Sequence, residues 1–296
     1  MQLAMIGLGR MGANMRDRLV DAGHEVIGYD RDAALSDVAD LADLVSSMQR
    51  PRHLWVMVPA GAATRFTIEQ LAGLLDPDDL VVDGGNSKWV DDRTHAELLA
   101  ASGVRYLDCG VSGGVWGRDN GYGLMCGGDE ADVAAMMEVF DALRPQGPRE
   151  LGFVHAGEVG AGHYAKMVHN GIEYGLMQAY AEGYELLATS DVVSDVPGVF
   201  RAWSRGTVVR SWLLDLMVRA LDEDPGLDDL RGVVADSGEG RWTVDEAVAN
   251  AVPMPVITAA LFARFASRQD DSPAMRAVAA LRNQFGGHAV EPRADG

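Results

Sequence analysis

Short apolar runs recur through the first half of the chain at 3–6, 26–29, 54–58, 80–82, 105–109 and 124–126. Each is only three to five residues long and ends at Gly, Asp, Asn or Pro, which is the pattern of a strand buried on both faces. Between them, 11–22, 62–75, 91–102 and 130–143 carry apolar residues at helical spacing. Strands alternating with amphipathic helices build crossover units around a mostly parallel sheet. After about residue 155 the strand signal stops. One long helical stretch, 160–187, follows, and then shorter helical segments run to a tail broken by Gly and Pro. The pattern therefore predicts an α/β domain over 1–156 and an all-helical domain over 157–296, with no internal repeat.

The first strand runs into Gly7-Leu8-Gly9-Arg10-Met11-Gly12, a G-x-G-x-x-G sequence that opens the first helix. The first glycine permits a tight turn, the second lets a pyrophosphate reach the backbone, and the third lets helix and strand pack closely. The helix N-terminus then faces the negative charge. The second strand ends at Asp30, eighteen residues beyond Gly12, where a carboxylate is placed to accept the adenosine ribose hydroxyls. This is the fingerprint of a Rossmann-type dinucleotide-binding domain. Asp30 repels a 2′-phosphate and favours NAD, while the neighbouring Arg31 is the one feature that favours NADP.

Net charge changes the list of partners. The chain has 25 basic and 44 acidic residues, a formal charge of −19, so nothing draws it to nucleic acid. A small anion is still compatible, because screening over about 8 Å lets a local arginine cluster govern its own site. No apolar run approaches the roughly 18 residues of a membrane span. The N-terminus lacks a basic leader and is expected to be a first strand rather than a signal peptide. Two cysteines, Cys109 and Cys126, make no disulfide scaffold, and a soluble protein of the reducing cytoplasm is expected.

The densest group of reactive side chains is Lys166, His169, Asn170 and Glu173, at i, i+3, i+4 and i+7. On a helix these project within an arc of roughly 100°. Val168, Ile172 and Leu176 form an apolar face opposite. Such a stripe is either solvated or functional. Glycines at 160, 162, 171 and 175 each cost about 1 kcal/mol in a helix and make sense where another surface must come close. Lys166 is also one of just two lysines, with Lys88, in a chain that otherwise uses arginine. Arginine cannot be deprotonated in a protein, whereas lysine can act as a base.

Lys-Met-Val-His-Asn-Gly-Ile-Glu-Tyr-Gly at 166–175 resembles the active-site helix of the decarboxylating 6-phosphogluconate dehydrogenases of the pentose phosphate pathway, within the β-hydroxyacid dehydrogenase superfamily. Asp83-Gly84-Gly85-Asn86-Ser87 and Val111-Ser112-Gly113-Gly114 are similar to that family's cofactor and substrate loops. Gly240-Arg241-Trp242-Thr243 and Arg282-Asn283-Gln284-Phe285-Gly286-Gly287-His288 are similar to two later elements. The length suits the family's short, NAD-preferring form. The resemblance implies that neutral Lys166 removes the substrate 3-hydroxyl proton while hydride leaves C3 for the cofactor. The 3-keto acid then loses CO2, Lys166 stabilises the oxyanion, and Glu173 protonates C1 of the enediol. Val58 and Asn86 would join the glycine loop, Asp30 and Arg31 at the cofactor. Asn86, Ser112, Gly113, Gly114, His169 and Asn170 would line the sugar acid, and Tyr174, Arg264, Arg282 and His288 its phosphate. The alternative for His169 is a purely structural histidine. No metal is required.

In the family the tail with Arg282 and His288 enters the partner subunit's site, so a homodimer or homotetramer is expected. Asp236-Ser237-Gly238-Glu239 departs from the lysine and threonine of the longer enzymes. An acidic residue does not help a phosphate, which leaves recognition there open and Glu239 free to face elsewhere. Two other readings compete. A β-hydroxyacid dehydrogenase that does not decarboxylate, such as 3-hydroxyisobutyrate dehydrogenase, shares the fold, the glycine loops and the helix lysine and asparagine, but lacks the Glu173-Tyr174 pair and the Arg282…His288 tail. A non-catalytic NAD-binding protein needs only the first thirty residues and has no use for the Lys166/Glu173 pair.

Overall fold

The computed structural model describes residues 1–286 and 289–291, without the side chain of Phe285. His288 lies outside the described residues. The chain divides into two compact units, Met1–Asn170 and Gly171–Gly296.

The first unit is built on a seven-stranded sheet: β1 (Gln2–Ile6), β2 (Glu25–Tyr29), β3 (His53–Val56), β4 (Leu80–Asp83), β5 (Arg105–Ser112), β6 (Gly123–Gly127) and β7 (Phe153–Gly157), in the order β2-β1-β3-β4-β5-β6-β7. The pairs from β2 to β5 are parallel, β5 pairs antiparallel with β6, and β6 pairs parallel with β7. The apolar runs are continuous because both faces are covered. Leu3 and Met5 enter one core with Trp55, Leu107 and Phe140, while Ala4 and Ile6 enter the other with Val56, Ile68 and Leu99. The covering helices are α1 (Arg10–Asp21), α2 (Leu41–Ser46), α3 (Ala62–Ala72), α4 (Trp89–Ala100), the single turn α5 (Gly117–Asn120), α6 (Glu130–Ala135) and α7 (Met137–Leu143).

Six strands fall where the apolar runs place them. The seventh is not visible in the pattern because Phe153 is its one buried residue and the strand forms the edge of the sheet. The helical stretch at 130–143 is broken at Met136, where no helix breaker stands, and nothing in the structure explains the break. Cys109 and Cys126 face each other across β5 and β6 as buried free thiols.

The long helix α8 (Ala161–Ala188) begins in the first unit. Its opening turns belong with the sheet because Asp108 of β5 accepts the Gly160 and His163 amides at 2.6 and 2.8 Å. The residue pattern places the domain boundary at 156, whereas the compact unit runs to Asn170.

The second unit continues α8 and adds α9 (Val196–Trp203), α10 (Trp212–Glu223), α11 (Glu239–Ala249), α12 (Pro255–Ala266) and α13 (Pro273–Gly286). Asp195 and Ser211 cap α9 and α10 by accepting the Gly198 and Leu214 amides. Phe200, Leu214 and Leu221 form one small core, and Tyr174, Ala260 and Leu261 another. A Cβ on Gly171 would stand 2.7 Å from the Thr243 side chain, so this glycine lets α8 and α11 pack closely. None of the described helices is long and apolar enough to cross a membrane.

Candidate active site

The glycine loop leaves β1 at Gly7, whose φ of +94° suits glycine alone and whose added Cβ would lie 2.5 Å from the Met57 carbonyl oxygen. A Cβ on Gly12 would come within 1.9 Å of the Gly7 carbonyl, so the first turn of α1 rests directly on the loop. Gly9, at the N-cap, is different: it is exposed, and nothing lies within 4 Å of its absent Cβ. That open flank beside the first-turn amides is the cradle a pyrophosphate requires. The Leu8 amide donates to Asp30 Oδ2 at 2.7 Å and the Asp32 amide to Oδ1 at 2.9 Å, which fixes the carboxylate against the loop with lone pairs to spare. Arg10 and Arg31 are exposed, and Met11 is half-buried. The residues present therefore fit a dinucleotide.

Val58 links this loop to the next one. Its Cγ1 and its carbonyl oxygen each lie 3.1 Å from the Cβ positions of Gly7 and Gly85 respectively. In the loop after β4, Asp83 accepts the Gly85 amide at 3.0 Å and the Ser87 hydroxyl at 2.6 Å, leaving Asn86 exposed between two buried neighbours.

Lys166 and Asn170 are buried, at 7% and 9% exposure, whereas Ile172 and Leu176 are 52% and 42% exposed. The polar stripe of α8 is thus the inward one, the reverse of an ordinary surface helix. Lys166 sits on Gly110 of β5, where a Cβ would be 2.4 Å from the lysine Cβ. Two residues further along β5, Ser112 Oγ lies 3.2 Å from His169 Nε2, and His169 Nδ1 lies 3.0 Å from Asn170 Oδ1. The amide oxygen can only accept, so Nδ1 donates to it, and in the neutral ring Nε2 accepts the Ser112 hydroxyl. Gly113 and Gly114 follow at φ of +149° and +55°, and the Gly114 flank is open.

Asp83, Asp92 and His95, and likewise Asp92, Asp108 and His163, bring ligand-type atoms within 4.8 Å of one another. Their sequence spacing gives no hint of this, although a carboxylate inside an apolar run, as at Asp108, is a usable signal. All three carboxylates already accept protein donors: Asp83 from Gly85 and Ser87, Asp92 from Tyr106 and His163, and Asp108 from two amides.

In the second unit, the Arg264 guanidinium stacks 3.4 Å above the ring of Tyr174 and donates to the Ala235 carbonyl at 3.2 Å. Among the described residues no carboxylate pairs with it. Arg241 and Arg268, by contrast, are both held by Asp236, whose carboxyl these hydrogen bonds keep below its usual range. Glu239 does not face away. It is buried, it accepts the Ser237 hydroxyl, and Ser237 in turn lies 3.3 Å from the Tyr174 hydroxyl. Glu173 stands on α8 and Arg282 on α13, where it is exposed.

Two family models cover these regions: the NAD binding domain of 6-phosphogluconate dehydrogenase matches residues 2–146, and that enzyme's C-terminal domain matches residues 162–292. An NAD(+)-dependent, decarboxylating 6-phosphogluconate dehydrogenase of Haloferax volcanii is 45% identical over 305 residues, covering 100% of both chains. The chain belongs to the 6-phosphogluconate dehydrogenase family. The decarboxylating 6-phosphogluconate dehydrogenase of Synechococcus elongatus is 36% identical over 90% of this chain and 61% of its own length. Among solved structures, Plasmodium falciparum 6-phosphogluconate dehydrogenase superposes with a TM-score of 0.80 at 25% identity, over 100% of this chain and 67% of that one. A 3-hydroxyisobutyrate dehydrogenase of Mycobacterium tuberculosis, at 24% identity and a TM-score of 0.70 over 95% of this chain and 99% of that one, shares the fold.

Proposed function

We propose that the protein oxidises and decarboxylates 6-phosphogluconate to ribulose 5-phosphate and CO2 with NAD. The observation that carries this is Lys166, a buried lysine seated on a glycine of β5 beside the Ser112–His169–Asn170 hydrogen-bond chain. NAD, held by the loop from Gly7 to Gly12 with Asp30, supplies the hydride acceptor. Ser112 and Asn170 orient the sugar acid, and Gly113-Gly114 lets it approach the backbone. Lys166 takes the 3-hydroxyl proton as C3 is oxidised. The β-keto acid then releases CO2, its electrons settling into an enediol whose oxyanion the Lys166 ammonium stabilises. Glu173, on the same helix, delivers the proton to C1. Tyr174 and Arg264 support phosphate binding, since a guanidinium stacked on a tyrosine, with no carboxylate partner among the described residues, retains donors for an anion.

Steady-state turnover separates the readings. Reduction of NAD with 6-phosphogluconate, and not with 3-hydroxyisobutyrate, is expected; the converse preference, or no reduction of NAD or NADP, would overturn the proposal.

Cofactor choice is assigned to Asp30. Asp30→Ala should raise the KM for NAD by about tenfold, the scale of one lost charge-assisted hydrogen bond, and narrow the preference over NADP. An unchanged NAD/NADP ratio in kcat/KM would remove Asp30 from that role.

The assembly is assigned to a second copy of this chain in a homodimer or homotetramer. The exposed apolar face of α8 and the exposed Met275, Val278 and Leu281 of α13 support it, because each is a stripe that water does not favour. Removal of residues 282–296 should raise the KM for 6-phosphogluconate at least tenfold, with the Kd for NAD little changed. An unchanged substrate KM would exclude the tail, with Arg282 and His288, from the site.

A further inference from the structure

Beneath the start of α8 lies a set of buried charges that the reaction does not use. Nδ1 of His163 is 3.0 and 2.9 Å from the two carboxylate oxygens of Asp92, with side-chain exposures of 1% and 0%. Tyr106 donates its hydroxyl to Asp92 at 2.8 Å, and His95 of α4 packs edge-on against the Tyr106 ring. His163 Nε2 has no partner among the described residues, so the hydrogen bonding of the ring rests on Asp92 alone. Burial pulls the imidazole towards neutrality, but the charge and hydrogen bond of Asp92, with Asp83 and Asp108 behind it, outweigh this and push its pKa up to about 10. Burial raises the Asp92 carboxyl to about 6 against the opposing pull of His163. Each group thus favours the charged form of the other.

Ion pairs this deep rarely repay their desolvation in stability, and an apolar pair of the same volume is often as good. Their location shows what they can do instead. Tyr106, Asp108 and Gly110 are alternate residues of β5 and so point to one face of the sheet. In that order they hold Asp92, cap the first turn of α8 and seat Lys166. His163 precedes Lys166 by three residues, one turn of the helix. Asp92 lies in the first turn of α4, directly after the loop that presents Asn86.

We propose that the Asp92–His163 pair is a positioning element that fixes the Lys166-bearing turn of α8 against α4 and its preceding Asn86 loop. The inference rests on Lys166 being the base.

The test uses the full-length enzyme with Lys166→Met as reference. His163→Gln should lower kcat about tenfold or more, because small displacements of a reacting group are costly, while the Kd for NAD stays within about threefold. Tyr106→Phe removes only the hydroxyl that steadies Asp92, and should lower kcat about two- to fivefold in the same direction with the melting temperature nearly kept. Should His163→Gln fail to fold, Tyr106→Phe decides alone. Wild-type kcat in Tyr106→Phe, or in folded His163→Gln, overturns the proposal, as does a parallel loss of kcat, NAD affinity and melting temperature in Tyr106→Phe. If Lys166→Met is inactive in the same series, such a failure leaves the base assignment standing. If Lys166→Met turns over normally, the base assignment itself has failed.

Discussion

Lys166→Met is expected to abolish turnover of 6-phosphogluconate while leaving the Kd for NAD within about twofold of wild type. Methionine keeps the length and apolar stem of lysine, so the seat on Gly110 stays filled. On the proposed mechanism, what is lost is the amine that would remove the 3-hydroxyl proton and then, as ammonium, stabilise the enediolate. General-base catalysis alone is worth about 10²–10⁴ in rate, and the electrostatic role adds to it, so kcat should fall by at least about 10³-fold. Stopped-flow absorbance of the reduced cofactor, with titration of NAD, measures both quantities. Turnover at an ordinary rate would remove Lys166 from the chemistry. Loss of NAD binding in step with activity would make it structural.

Glu173→Gln should separate the two halves of the reaction. On the proposed mechanism the glutamate acts after hydride transfer and loss of CO2, when C1 of the enediol takes its proton. Its amide keeps the shape but cannot deliver that proton. Steady-state kcat should fall about 10²-fold, yet mixing the variant with NAD and substrate should give a burst of reduced cofactor close to one equivalent per site. A variant with no burst, its oxidation as slow as its steady state, would place Glu173 before hydride transfer. Unchanged steady-state turnover would remove it from the mechanism.

How much of this was legible in the sequence depends on what kind of signal each residue leaves. Gly7, Gly9 and Gly12 were legible because a strand–turn–helix around a phosphate has few solutions, and the open flank at Gly9 is the structural counterpart of that constraint. The spacing of Lys166, His169, Asn170 and Glu173 was legible because a helix turns through a fixed angle per residue. Which face was inward was not. Ile172 and Leu176 look like a core stripe in a single chain, but they are exposed while Lys166 and Asn170 are buried. Periodicity reports that two faces differ, not which one a protein hides. The glycines at 162 and 171 do allow close approach, and the surfaces that approach are Met125 and Asp108 of the sheet and the Thr243 side chain. The edge strand β7 was silent because an edge needs little apolar surface. The Asp92–His163–Asp108 group was silent for another reason. Its members are far apart in the chain, and only the pairing of β5 with β4 and β6 and the docking of α4 and α8 bring them together. The placement of Glu239 stayed open because a buried acid beside Ser237 and Tyr174 is a local arrangement that no spacing rule encodes.

The central claim is that this helix both oxidises and decarboxylates. The most direct measurement is the stoichiometry of CO2 released to NAD reduced, taken in one reaction with 6-phosphogluconate. The account predicts one CO2 for each reduced cofactor, with Lys166→Met giving neither. Cofactor reduction with no CO2 would contradict it and leave a dehydrogenase that stops at the keto acid.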